Sequence, residues 1–65
     1  MNKLAENIET ERIRRGYSKQ ELAGRLNITA EVYESYLCGE PIPGRQLLTL
    51  SKLFERSVDS LLGLR

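Results

Sequence analysis

The stretch that most constrains this chain is Ser18 to Gly39, SKQELAGRLNITAEVYESYLCG, because it holds two helix starts and two helix stops in one short segment. Ser18 can cap a helix N-terminus, and Glu21, three residues on, can reach back to the Ser18 amide, the reciprocal capping arrangement. A helix therefore starts at Lys19. Leu22, Ala23 and Leu26 give it one narrow apolar face, while Lys19, Glu21 and Arg25 point elsewhere. Asn27 is one of the few residues besides glycine that tolerates the left-handed conformation ending a helix, and Thr29 is a second N-cap candidate two positions later. Tyr33, Tyr36 and Leu37 then repeat at i, i+3 and i+4, and Gly39 with Pro41 stops the run. Two helices joined by a turn of about three to four residues form a helix-turn-helix unit.

The flanking sequence supplies three more helices. Asn2 can cap a first helix running to about Arg15, with Leu4, Ala5, Ile8, Arg12 and Ile13 as its inward stripe and Glu6, Glu9 and Glu11 outside. Arg14 and Arg15 before Gly16 suit the negative end of that helix and its stop. After helix 3, Glu40-Pro41-Ile42-Pro43-Gly44 is a stiff connection, since each proline fixes its own backbone angle and restricts the residue before it. Pro43 suits the first turn of helix 4, whose Leu47, Leu48, Leu50, Leu53 and Phe54 wrap more than half the circumference and predict a largely buried helix. Ser57 caps a last helix with Asp59 and Ser60 in its first turn and Val58, Leu61, Leu62 and Leu64 apolar. Every apolar pattern has helical spacing, so the fold class is all-α, a single domain over residues 1–65.

A chain of 65 residues buries only about 60% of its unfolded surface, so its stability depends on good packing or on association. The formal net charge of +1 confines any electrostatic footprint for a polyanion to a local patch. One cysteine and no histidine exclude an internal disulfide and leave no zinc site of the usual ligand types, which points to a reducing, cytoplasmic setting. No apolar run approaches a membrane span, and the opening residues lack the apolar segment of a signal peptide; no membrane partner is expected.

Parts for catalysis are missing. Cys38 is the one strong nucleophile, with no histidine to activate it, and reads as a small residue at a helix end. The glutamates at helical spacing form a solvated face and not a paired acid and base. No phosphate-cradling glycine loop or metal-ligand cluster is present, so neither an enzyme nor a cofactor is expected. Tyr33 and Tyr36, opposite Glu31, Glu34 and Ser35, read as core residues and not as stacking platforms for bases.

The residues from Ser-x-x-Glu-Leu-Ala at 18 to 23, through Ala23 at the helix crossing and the Leu26-Asn27-Ile28-Thr29 turn, to the closing Gly39, resemble the Cro-like phage-repressor helix-turn-helix family, also called the xenobiotic-response-element family. Arg12 and Gly16 stand where that family carries its helix 1 arginine and linking glycine. Leu50-Ser51-Lys52-Leu53-Phe54 and Ser57-Val58-Asp59-Ser60-Leu61-Leu62 look like its helices 4 and 5, so the resemblance covers nearly the whole chain. It implies a compact five-helix repressor-like domain that regulates transcription by binding specific double-stranded DNA. Helix 3 would enter the major groove with Thr29, Ala30, Glu31, Glu34 and Ser35 near base edges or backbone. Ser18, Lys19 and Gln20 at the start of helix 2, and Gly44 and Arg45 at the start of helix 4, would meet phosphates. The family commonly binds palindromic sites as a homodimer, and Leu61, Leu62 and Leu64 at the chain end offer apolar surface for one.

The chain also departs from the pattern. The family's arginine at Arg12 typically pairs with a glutamate near the end of helix 3, where this chain has Leu37; Glu34, Glu40 or solvent are left for it. Helix 3 has no cation, and Glu31, Glu34 and Glu40 oppose the counterion release that supplies most non-specific affinity. A second reading follows, in which the same fold is a protein-interaction module whose acidic helix 3 face binds another regulatory protein.

Overall fold

Local capping chemistry starts four of the five helices. In the computed structural model, which describes residues 1–64, Asn2 accepts a hydrogen bond from the Ala5 amide at 2.8 Å and opens α1, Lys3–Arg14. Ser18 opens α2, Lys19–Arg25, Thr29 opens α3, Ala30–Leu37, and Ser57 opens α5, Val58–Leu62, each accepting from the amide three residues on. α4, Gly44–Phe54, follows Pro43 and has no side-chain cap. The fold is all-α: five helices and no strand among the described residues. No helix among them is long and apolar enough to cross a membrane.

The stops are equally local. Asn27 takes the left-handed conformation, φ 58°, between α2 and α3, and Gly39 closes α3 at φ 111°, where a side chain would be strained. Glu55 ends α4 at φ 54°, a left-handed position on which the sequence places neither glycine nor asparagine.

All five helices send side chains into one core of Ala5, Ile8, Leu22, Ala23, Leu26, Tyr33, Leu37, Leu50, Phe54 and Leu61. α2 packs on α3, and α5 packs on both α1 and α4. Asn7 ties α1 to the last helix by donating to the Leu61 carbonyl at 2.9 Å. Ala23 of α2 is only 2% exposed and belongs to the core, and α2 packs on α3. An Ala23→Leu variant should overpack this contact and lose about 1–3 kcal/mol of stability, read as a lower urea midpoint. A variant as stable as the parent would show that the contact has room to spare.

Three expectations about faces need correction. On α1, Ile13 is 66% exposed whereas Glu11 is buried to 2%. At 3.6 residues per turn Glu11 lies about 60° from Ile8 around the helix and Ile13 about 140° from it, so geometry overrides side-chain polarity. Glu9 is also mostly covered, its side chain 15% exposed. On α4 the inward face is narrower than expected: Gln46, Leu50 and Phe54 are buried at i, i+4 and i+8, while Leu48 is 57% exposed. Leu61, expected at an association surface, is a core residue with no exposure; Leu62 and Leu64 remain exposed at the chain end.

Candidate nucleic-acid interface

The start of α2 is closed by its own residues. Ser18 Oγ accepts from the Glu21 amide at 3.0 Å and Glu21 Oε1 accepts from the Ser18 amide at 2.8 Å. The hydrogen bonds from Ser18, backbone first and then side chain, hold the Glu21 carboxyl below the usual carboxylate range. Ser18 and Gln20 are exposed. Lys19 does not stand free: its Nζ lies 2.6 Å from Glu34 Oε1 on α3.

α3 is presented by the turn before it and anchored from behind. The Ile28 amide donates to the Ala23 carbonyl at 3.0 Å, which closes the turn. Thr29 is exposed, but its hydroxyl is committed to the Val32 amide at 3.1 Å. Glu31, Val32 and Glu34 face outward; Ala30 and Ser35 are half-buried, and the Ser35 hydroxyl donates to the Val32 carbonyl at 2.6 Å. Among the five residues expected to reach bases, Glu31 and Glu34 are therefore the outward side chains of length. Cys38 is exposed at the C-terminal cap of α3.

Behind α3, Tyr33 is 1% exposed and its hydroxyl donates to Glu9 Oε2 at 2.6 Å. Arg12 grips the same carboxylate with two bonds, Nε to Oε2 at 2.8 Å and Nη2 to Oε1 at 2.9 Å, and donates to the Tyr17 carbonyl at 2.8 Å. Arg12 thus turns to Glu9, not to Glu34, Glu40 or solvent. The Arg12 hydrogen bond outweighs burial and holds the Glu9 carboxyl below its usual range, and burial with the Glu9 charge pushes the Tyr33 hydroxyl well up. With Leu37 in place of an acid near the end of α3, Tyr33 supplies a link between α1 and α3.

α4 begins unlike the other helices. It has no side-chain cap and no acid in its first turn, whereas Glu6, Glu21, Glu31 and Asp59 occupy the first turns of α1, α2, α3 and α5. Gly44 and Arg45 are exposed there. Two positions in, the buried Gln46 donates through Nε2 to the Leu26 carbonyl at 3.1 Å. That bond satisfies the C-cap of α2 and draws the start of α4 to the turn that leads into α3. Polarity hides Gln46 from a sequence reading; its spacing to Leu50 and Phe54 is the signal that it faces inward.

The chain matches no family model, no curated protein and no solved structure.

Proposed function

We propose that this chain is a sequence-specific DNA-binding regulator of the helix-turn-helix kind, a repressor-like homodimer that lays α3 in the major groove. The observation that carries the reading is the start of α4: uncapped, free of acid, flanked by Arg45, and tied by Gln46 to the turn before α3. Such a helix end offers free amides and the positive pole of the helix to a phosphate. A phosphate held there would fix the register of α3, whose Glu31 is exposed and can accept from the amino group of cytosine. A glutamate in the groove also rejects bases that present an acceptor, so discrimination comes with some loss of general affinity. A two-fold dimer seated on Leu62 and Leu64 fits the reading, since two α3 helices about 34 Å apart meet successive major grooves.

Titration against selected and scrambled duplexes at several salt concentrations is the test. Arg45→Ala should weaken binding to all sequences alike and lower the salt slope by roughly one unit, the share of a single phosphate. A parent that binds no duplex even at low salt removes the DNA reading. The second reading, a protein-interaction module, is favoured by one observation: Glu31, Glu34 and Glu40 are exposed, while Lys19 is already paired with Glu34. Salt-sensitive binding to a basic protein partner without duplex binding is its signature.

A further inference from the structure

Lys19 and Glu34 come from the two halves of the helix-turn-helix unit, and their side chains, 41% and 50% exposed, meet at 2.6 Å. Lys19 also acts electrostatically on the Glu9 carboxylate. The ammonium at the start of α2, where the DNA reading puts a phosphate, is therefore already held by an acid from α3. An exposed pair of this kind is weakly held and exchanges partners readily. A phosphate offers the ammonium the same charge-assisted oxyanion contact as the carboxylate does.

We propose that Glu34 is an internal stand-in for phosphate. It holds Lys19 in the free protein, yields it to the DNA backbone on binding, and so sets the affinity of this chain for every duplex without setting its choice among sequences. The inference rests on the DNA reading above. When Lys19 moves to a phosphate, one backbone charge is neutralised, but Glu34 is left bare beside the DNA. The pair then contributes almost nothing to net counterion release. Glu34→Gln keeps the size of the side chain and removes that offset. The slope of log affinity against log salt should steepen by about 0.9, which makes the advantage of the variant shrink about threefold between about 50 and about 200 mM salt.

The experiment compares the parent, Glu34→Gln, Lys19→Ala and the double variant on two unrelated duplexes of equal length across that salt range, with the helical circular dichroism signal checking the fold. Glu34→Gln should bind both duplexes more tightly than the parent by the same factor, with the steeper slope, and the gain should shrink when Lys19 is Ala, because the carboxylate then still repels the DNA but no longer competes for an ammonium. A gain that persists undiminished without Lys19 means simple repulsion between Glu34 and DNA and overturns the inference. So does a gain that differs between the duplexes, which would make Glu34 a reader of bases, or no gain at all in a parent that binds. If no variant binds either duplex at low salt, the DNA reading falls and takes the inference with it. Binding by Glu34→Gln alone supports the inference in its strongest form.

Discussion

A Tyr33→Ala protein should lose about 3–5 kcal/mol of stability, the range for truncating a large buried aromatic. A domain of 65 residues has only about 3–10 kcal/mol in total, so the variant should be marginal or unfolded at 25 °C. Tyr33 is 1% exposed and one of the largest side chains in the core, so its removal leaves a large cavity. The hydroxyl makes a separate contribution through its 2.6 Å bond to Glu9. Tyr33→Phe keeps the packing and removes only that bond, leaving Glu9 still gripped by Arg12, and should cost about 1–2 kcal/mol. Urea melts of the two variants separate packing from hydrogen bonding. A Tyr33→Ala protein that melts with the parent would contradict the placement of α3 against the core.

Glu11→Ala should cost about 2–4 kcal/mol and lower the melting temperature by roughly 15–30 °C in a domain of this size. Glu11 is 3% exposed in its side chain and sits among three arginines, Arg14, Arg15 and Arg56, each 3.3 Å from a carboxylate oxygen. Two of them carry the charge onward into the fold: Arg15 donates to the Phe54 carbonyl at 2.6 Å and lies over the Phe54 ring, and Arg56 donates to Ser60 Oγ at 2.7 Å. Removing the carboxylate leaves these cations facing one another across α1 and the α4–α5 junction. The loss stays below the worst case for a buried pair because the arginines, at 74%, 35% and 29% side-chain exposure, can turn to water.

The same residue predicts an acid transition. Burial disfavours the charged form of Glu11, but the Arg15 hydrogen bond and the charges of Arg14, Arg56 and Arg15 together hold its carboxyl below the usual range. As pH falls the unfolded chain therefore takes up this proton first. The stabilisation is complete above the unfolded value of about 4.3 and is lost as pH drops through the lower folded value. Glu9, lowered chiefly by its Arg12 hydrogen bond, adds in the same direction. Glu11→Gln should flatten the acid limb of the stability curve and leave the slope due to Glu9 and Glu21. An unchanged acid limb would show that the arginines do not act on Glu11.

The sequence by itself determined what is decided within one helical turn. A capping hydroxyl needs only the amide three residues on, so Ser18 with Glu21, Thr29 and Ser57 mark the helix starts where they are found. Left-handed stops at Asn27 and Gly39 follow from what those residues tolerate. Helix number, the helix-turn-helix spacing and the inward Ala23 and Tyr33 were legible for that reason. Residue type misled where a polar side chain faces inward. Glu11 and Gln46 lie on the buried sides of α1 and α4 because their partners, Arg56 and the Leu26 carbonyl, arrive from elsewhere in the chain. Tertiary structure alone brought the Tyr33 hydroxyl to Glu9, placed Leu61 in the core and joined Lys19 to Glu34. Each of these depends on a contact between separate helices or on which of several nearby charges a flexible side chain meets, and neither spacing nor composition encodes that choice.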